Sequence, residues 1–247
     1  MAEPKWLQDM NPEEYLKEDF EATGHSRYTV DGLEKNDPEW LDKAAAKVNA
    51  AEGDDYVKLD SGLLTVNQIN WMLRNTFGEM TFVDDNNQFL WYNRPQDPNY
   101  KMKARRVPAQ VGDTMGAVHP DIRDVIPNAK KVVHALRTKE GGHDAVWMPV
   151  PTGNLTELVL HYYKRVEDEE GNYMGIYEWV QDIYPFVKYF CEVTGQKLVV
   201  DPDATTGATY RRNSDPDAKT GPSTKADAAK EEVKAAEPEA TSGASHH

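Results

Sequence analysis

Residues 80–93 read MTFVDDNNQFLWYN, which is an apolar run, a polar turn and an aromatic run. The side chains of the second run alternate between two faces, with Phe89, Trp91 and Asn93 on one and Leu90 and Tyr92 on the other. An apolar run and an alternating aromatic run on either side of a polar turn predict a β-hairpin. The many aromatic side chains indicate that this hairpin either lines a pocket or fills a core.

A helix is expected directly before the hairpin, in the stretch TVNQINWMLRNTFG. Thr65 can cap the helix and Gln68 follows three residues later, which is the spacing of a capping box. Gly78 can end the helix. The apolar residues share one helical face; they are Ile69, Met72, Leu73 and Phe77.

A longer helix is predicted in DIRDVIPNAKKVVHALRTKEGG, after a loop-rich stretch. Its apolar residues recur at helical spacing and form one stripe; they are Ile122, Val125, Ile126, Ala129, Val132, Val133 and Leu136. Pro127 falls inside the stripe and is expected to kink or split the helix. Gly141 and Gly142 should end it.

Three further strands are predicted, in HDAVWMPV, NLTELVLHYYKRV and GNYMGIYEWVQDI. The element order is therefore a helix, two strands, a helical connection, a long helix and three strands. This order predicts an α+β domain with a five-stranded antiparallel sheet and helices across one face.

The chain divides into three zones by composition. Residues 1–58 are acidic and helix-prone but poor in large apolar residues, so they predict a helical flank that docks on a neighbour. Residues 59–190 hold the apolar patterns of the domain. Residues 191–247 are predicted to be a linker and a disordered low-complexity tail, because they are mostly small, polar and charged residues.

The net charge of −14 disfavours binding to nucleic acid and to anionic membranes. A local basic patch at Lys101, Lys103, Arg105 and Arg106 is read as a solvated loop. The sequence shows no apolar stretch of membrane-spanning length and no signal-peptide pattern, so a cytoplasmic location is expected. Cys191 is the only cysteine, so no intramolecular disulfide can form.

No Walker loop, GxGxxG, GxSxG or HExxH motif is present. No two histidines have metal-ligand spacing, and His134 lies away from the apolar stripe. His119 differs, because it precedes Pro120 at the mouth of the long helix and lies near the edge of the stripe. His119 is therefore either a capping and packing residue or a contact for a ligand.

The stretch VGDTMGAVHPDIRDVI, residues 111–126, resembles the signature of PAS domains, in which a Gly-containing helix leads to His-Pro-Asp. His119, Pro120 and Asp121 stand in the matching places, and Gln181, Asp182 and Ile183 resemble the end of the PAS closing strand. The segment from residue 61 to residue 93 resembles bacterial PAS domains that occur alone or linked to hemerythrin-like domains. About 130 residues are covered by the resemblance.

The resemblance implies a sensory or interaction module whose pocket holds heme, flavin, a carboxylic acid or nothing. The expected function is that of a small-molecule-sensing regulatory protein, which binds a small apolar ligand and acts as a homodimer or on a separate output protein. The residues expected around the pocket are Met115, His119, Phe82, Trp91, Trp147, Tyr162 and Tyr177. No metal site is expected, unless His119 ligates heme.

Heme and flavin members of the family differ from this chain. Heme sensors place their axial histidine midway along the long helix, where this chain has Pro127 and Asn128. Nothing matches the Gly-x-Asn-Cys-Arg-Phe-Leu-Gln stretch of flavin-binding members. His119 keeps heme open as a cofactor, because an imidazole beside an apolar pocket suits iron.

Two other functions are compatible with the sequence. The large aromatic residues could fill the pocket themselves, which would make the domain an interaction module without a ligand. An enzyme would need an acid–base pair in the pocket, for which His119 with Asp121 or Asp124 is the nearest candidate. The helical spacing places both aspartates on the surface, so we expect no enzymatic activity.

Overall fold

The computed structural model describes residues 4–21, 28–34, 37–97, 99–119, 125–150 and 156–199. Residues 200–247 of the predicted linker and tail lie outside the described residues, as do Pro120, Asp121 and Asp124. The described helices are α1 Lys5–Gln8, α2 Pro12–Tyr15, α3 Trp40–Val48, α4 Val66–Arg74, α5 Met115–Val118, α6 Val125–Thr138 and α7 Tyr184–Thr194. The described strands are β1 Tyr56–Leu59, β2 Gly62–Thr65, β3 Glu79–Asp84, β4 Phe89–Tyr92, β5 Ala145–Val150, β6 Val159–Glu167 and β7 Tyr173–Asp182.

Five of the strands form one sheet in the order β4-β3-β7-β6-β5. The pairings of β3 with β4, of β3 with β7 and of β6 with β7 are antiparallel. Helix α6 lies over β6 and β7. Its buried residues Val133 and Leu136 join Val146 and Ile176 of the sheet in the core. The predicted α+β class and the five-stranded antiparallel sheet with helices are confirmed. We call the sheet face that meets α6 the inner face.

Helix caps explain where several helices begin. The side chain of Asn11 accepts a hydrogen bond from the Glu13 backbone N–H, and Pro12 is the first residue of α2. At α4 the Thr65 hydroxyl and the Gln68 side chain form the complete capping box. Helix α3 ends at Asn49, which adopts a left-handed conformation with φ of 51°.

The β3–β4 hairpin contains an irregularity that the sequence pattern did not indicate. The register shifts between Phe82 and Val83, so that Val83 pairs with Phe89 whereas Phe82 pairs with Trp91. Thr81 pairs with Tyr92. Because Thr81 and Val83 point to the same face, Phe89 lies on the inner face with Tyr92. The alternation that put Phe89 and Trp91 on one face is therefore wrong.

Pro127 does not divide the long helix. Helix α6 is described as unbroken from Val125 to Thr138, and Pro127 lies in its first described turn. Four residues of this helix are buried; they are Val132, Val133, Ala135 and Leu136. The expected kink or split at Pro127 is therefore absent from the described part of the helix.

Strands β1 and β2 and helix α7 were not predicted from the sequence. Strands β1 and β2 form an antiparallel hairpin whose residues are largely exposed. Helix α7 has no buried residue and ends at Gly195, whose φ is 69°. The described residues fall into two compact units, one within Glu3–Met148 and Val159–Asp182 and one within Pro149–Leu158 and from Ile183 onward. Helix α7 belongs to the second unit.

The N-terminal flank contributes side chains to the core itself. Leu7, Phe20 and Trp40 are buried and belong to the same hydrophobic cluster as Leu136. Trp40 also covers Gly112, where a Cβ atom would lie 2.1 Å from the indole and where φ is +96°. Only glycine suits this position, because both the conformation and the space exclude a side chain.

Polar contacts attach the same flank to the helices. Glu18 bonds both His134 and Arg137 of α6, at 2.8 Å and 3.1 Å. The backbone N–H of Gly116 donates to the Phe20 carbonyl at 3.1 Å. His134, which lies away from the predicted apolar stripe, thus meets this flank. The flank is a structural part of the unit that holds the sheet.

We predict that Leu7→Ala lowers the free energy of unfolding by about 2–5 kcal/mol, because it leaves a cavity in a core that Leu7 fills with no exposed surface. Leu63→Ala is the matched control, since the same atoms are removed from a residue that is 60% exposed. Its effect should stay within about 0.5 kcal/mol. Chemical denaturation of both variants measures this, and equal effects would contradict the role of the flank in the core.

Candidate functional site

The inner face of the sheet carries polar side chains where an apolar core would be expected. Glu178 on β7 pairs with Thr81 on β3 and with Tyr163 on β6, so these three side chains share the inner face. His161 lies two residues before Tyr163 and points to the same face. Glu178 and Thr81 are 6% and 2% exposed. A buried carboxylate at the centre of a sheet requires partners.

Glu178 has those partners. Its Oε1 is 3.0 Å from Nδ1 of His161, and its Oε2 accepts a hydrogen bond of 2.9 Å from Nη2 of Arg106. His161 Nδ1 is also 3.1 Å from the hydroxyl oxygen of Tyr163. We call Arg106, His161, Tyr163 and Glu178 the inner-face cluster.

The pKa values of two cluster members, Glu178 and Tyr163, are shifted from their usual values. Burial by itself would raise the pKa of Glu178, but the hydrogen bond from His161 and the charge of Arg106 outweigh it and lower that pKa well below its usual range. Burial raises the pKa of Tyr163 well above its usual value, and the negative charge of Glu178 adds to this. At neutral pH, Glu178 is therefore an anion and Tyr163 a neutral phenol.

A second buried carboxylate positions the loop that brings Arg106 to the cluster. Glu79 on β3 is 1% exposed, and its Oε1 accepts hydrogen bonds from the Tyr100 hydroxyl at 3.0 Å and the Lys103 backbone N–H at 2.5 Å. Its Oε2 accepts a bond of 2.7 Å from the Ala104 backbone N–H. Burial raises the pKa of Tyr100 to about 12, so its hydroxyl remains a donor. Glu79 thus fixes the loop next to Arg106.

These contacts do not satisfy every hydrogen-bond donor of Arg106. Its Nε–H is buried and finds no acceptor among the described residues. The guanidinium lies 5.5 Å from the centroid of the fully buried Phe89 ring. The expected solvated basic patch is therefore wrong for Arg106, which is a buried member of the site. Buried donors without a partner are rare in native proteins, so this N–H requires an explanation.

His119 is near enough to this cluster for the charges of Arg106 and Glu178 to affect its ring. Its Nδ1 is 2.8 Å from the Met115 carbonyl oxygen, and its ring centroid is 6.2 Å from that of Phe20. The carbonyl can only accept, so Nδ1 carries the proton and Nε2 is the acceptor of the neutral ring. Burial lowers the pKa of His119, and the charges of Arg106 and Glu178 both act on the ring.

The predicted pocket residues do not share one side of the sheet. Met115 and His119 lie with the core on the inner side. Phe82 pairs with Trp91 and with Tyr177, opposite in direction to Thr81, which places these three rings on the outer face. Tyr162 belongs to the outer face as well and its ring is 4.4 Å from that of Trp147, which is 53% exposed.

This outer-face group of Phe82, Trp91, Trp147, Tyr162 and Tyr177 cannot line a space next to His119. Strand alternation separates the two faces, and the sequence pattern alone did not indicate which face the helices cover. Sequence reasoning also missed the inner-face cluster. The only signal for it was the alternation of His161 and Tyr163 along β6, with Glu178 interrupting an otherwise apolar strand.

Other site types are not found in the described part of the chain. No three His, Cys, Asp or Glu side chains there lie close enough together to hold a metal ion. None of the helices described is both long and apolar enough to cross a bilayer. A surface groove lined by Glu14, Lys17, Glu18, Asp19 and His134 is present. Glu18 and His134 already pair within it.

Comparison with known proteins identifies the fold. Residues 69–184 match the family model described as PAS domain. No curated protein matches the chain. A crystal structure of a C-terminal domain from Streptococcus mutans is similar with 33% identity and a TM-score of 0.49, covering 56% of this chain and 99% of that chain.

Two further structures are similar at lower identity. The PAS domain of Bordetella pertussis BvgS shares 16% identity with a TM-score of 0.31, over 52% of this chain and 95% of that chain. VqmA from Vibrio cholera, in a complex with ligand and DNA, shares 18% identity with a TM-score of 0.33, over 56% and 62%. The family evidence is the match of residues 69–184 to the PAS-domain model, and PAS domains are typically sensory or interaction modules rather than enzymes.

We predict that Glu178→Gln destabilises the protein by about 3–5 kcal/mol at pH 7, because it leaves Arg106 buried without its counterion. The depressed pKa means that the carboxylate stabilises the fold above its usual value of 4.5 and loses this effect as the pH falls. The difference in unfolding free energy between wild type and variant should therefore shrink by about 2 kcal/mol between pH 5 and pH 3.

Urea unfolding at a series of pH values measures this difference. Glu169→Gln is the control, because Glu169 is exposed and the same change there should have little effect at any pH. A gap between wild type and Glu178→Gln that stays constant down to pH 3 would show that Glu178 is not a stabilising buried anion.

Proposed function

We propose that the protein is a small-molecule-sensing PAS regulatory protein whose ligand binds at the inner-face cluster. The observation that carries this proposal is the Arg106 Nε–H, which is buried beside an ion pair and has no acceptor among the described residues. An acceptor on a ligand would complete its hydrogen bonding. Phe89, Met115 and Ile176 supply apolar surface in the same core.

The energetic cost of the cluster supports a functional role. Arg106 and Glu178 have side chains that are 12% and 7% exposed, so both ions are largely removed from water. Replacing a buried ion pair by well-packed apolar residues is often neutral or stabilising, so such a pair is weak evidence for a role in stability alone. Buried charges with strongly shifted pKa values cluster at functional sites.

Binding of a ligand can be tested directly on the purified protein. We expect native mass spectrometry to reveal a bound small molecule, or a thermal-shift screen of metabolites to find one that raises the melting temperature. A ligand at about 100 times its dissociation constant stabilises the folded state by about 2.7 kcal/mol. If neither experiment finds a ligand, the sensing role is contradicted.

The output is proposed to pass through a homodimer or to a separate partner protein. The outer-face group offers aromatic surface for such an interface, and aromatic residues are enriched at the centres of interfaces. Trp147 is its most exposed ring, at 53%. A ligand on the inner face and an interface on the outer face would share the strands β6 and β7.

We predict that Trp147→Asp weakens self-association by at least about tenfold, because a charge would be buried at the interface. Sedimentation velocity over a range of concentrations measures the dissociation constant. Val107→Asp is the control, since Val107 is 49% exposed and lies in a loop. A wild-type protein that stays monomeric, or a dimer that tolerates Trp147→Asp, would contradict the proposed interface.

Heme is a second candidate ligand, and the specific observation in its favour is the hydrogen bond from His119 to the Met115 carbonyl. This bond fixes the tautomer in which Nε2 is free to bind iron, as backbone carbonyls do for other metal-ligating histidines. His119 would hold the iron, and heme would supply binding of a diatomic gas. In this respect the site fits heme, because His119 offers a neutral ring nitrogen to the iron.

A titration with hemin tests this candidate. Wild type should develop a sharp band at the violet end of the visible spectrum, and His119→Ala should lack it because the axial ligand is gone. His143→Ala is the control, since His143 stacks on Trp6 at a centroid distance of 4.1 Å and should leave the band unchanged. Equal spectra for wild type and His119→Ala would remove His119 as the iron ligand.

The alternative function is an interaction module without a ligand. The observation that favours it is that Phe89, Leu136 and Val146 are fully buried and fill the core beside the cluster. Both carboxylate oxygens of Glu178 also have partners within the chain. A crystal structure whose interior holds no cavity beyond a few waters, with no ligand found by mass spectrometry, would favour this alternative.

A further inference from the structure

The charges at the inner-face cluster restrict which ligands it can accept. Arg106 and Glu178 form a pair at 2.9 Å whose charges cancel. Burial lowers the pKa of His119, so this ring adds no charge at neutral pH. An anion placed here would be repelled by Glu178, and a cation would be repelled by Arg106. In a buried site either ion would also lose its hydration without gaining a counterion.

The hydrogen-bonding groups at the site restrict the ligand further. Arg106 Nε–H is a buried donor without an acceptor among the described residues. His119 donates from Nδ1 to the Met115 carbonyl at 2.8 Å, which leaves Nε2 as an acceptor. A ligand that carries a carbonyl beside an N–H or O–H group would match this donor and this acceptor.

The surroundings of these two groups are apolar. The Arg106 guanidinium lies over the ring of Phe89 at 5.5 Å, and Phe89 is fully buried. Met115, whose carbonyl holds His119, is 9% exposed and belongs to the same core cluster. The body of the ligand would therefore contact apolar side chains.

The geometry points to a site for a small uncharged ligand with an apolar body and an amide-like group, whose carbonyl accepts from Arg106 Nε and whose N–H donates to His119 Nε2. This inference rests on the proposed function and adds the class of ligand to it. The protein should therefore bind such an amide more tightly than an acid or a base of the same shape.

Three probes of one shape test the charge selectivity: benzamide, benzoate and benzamidine. Binding to the full chain at neutral pH is measured by titration in ¹H–¹⁵N NMR spectra. Benzamide should bind at least about tenfold more tightly than the anion or the cation, which is the ratio for a free-energy difference of about 1.4 kcal/mol.

Arg106→Lys tests the role of the Nε donor. It keeps a cation opposite Glu178 and removes the Nε–H, so benzamide affinity should fall at least about tenfold. Arg74→Met is the control, because Arg74 is exposed on α4 and its loss should not change binding. If Arg106→Lys does not fold, His119→Phe replaces it, since this variant keeps the ring and loses the acceptor. It should weaken benzamide binding to a similar extent.

The outcomes separate this inference from the proposed function. Benzoate or benzamidine binding more tightly than benzamide, with dependence on Arg106, would overturn the ligand class and leave a ligand site in place. No binding of any probe would also overturn the inference. The proposed function would then still stand if mass spectrometry of the native protein finds a bound small molecule, and would fall with the inference if it finds none.

Discussion

The structure depends on one buried negative charge, the carboxylate of Glu178 at the centre of the sheet. Because this charge cannot stay unpaired in the interior, His161 from the neighbouring strand and Arg106 from a distant loop must both meet it. Glu79 holds that loop by three hydrogen bonds, so a second buried carboxylate supports the first. The inner face is thereby a polar site within an apolar core.

A consequence is that the site joins elements that are far apart in the chain. Strand β7 carries Glu178, β6 carries His161 and Tyr163, and the loop before residue 107 carries Arg106. The N-terminal flank approaches the site as well, because Phe20 lies next to His119 and bonds Gly116 through its carbonyl. A ligand that moved Arg106 or His119 would therefore act on both the sheet and the flank.

Much of the fold could be predicted from the sequence. The capping box at Thr65, the apolar stripe ending at Leu136 and the three alternating strands are local patterns, and local patterns determine helices and strands. The shift in the hairpin was not predictable, since Leu90 shows no local feature that marks an extra residue in a strand. The sequence also did not show which face of the sheet the outer aromatic rings occupy, because this depends on that register and on the side of the sheet that α6 covers.

The site was harder to predict because its members are brought together only by the tertiary fold. Arg106 and Glu178 are 72 positions apart, and Arg106 lies among basic residues that suggested a solvated loop. Nothing local distinguishes a buried arginine from an exposed one. His119 was noticed because its place before Pro120 is a local feature, whereas His161 looked like any residue of a strand.

Arginine-selective ¹⁵N NMR of the full chain tests the central claim most directly. If Arg106 is buried against Glu178 with an unsatisfied Nε–H, its Nε–H signal should exchange slowly with water, vanish in Arg106→Lys, and shift when a ligand binds. A signal that exchanges as fast as that of an exposed arginine, and that no ligand shifts, would show that the inner face holds no such site.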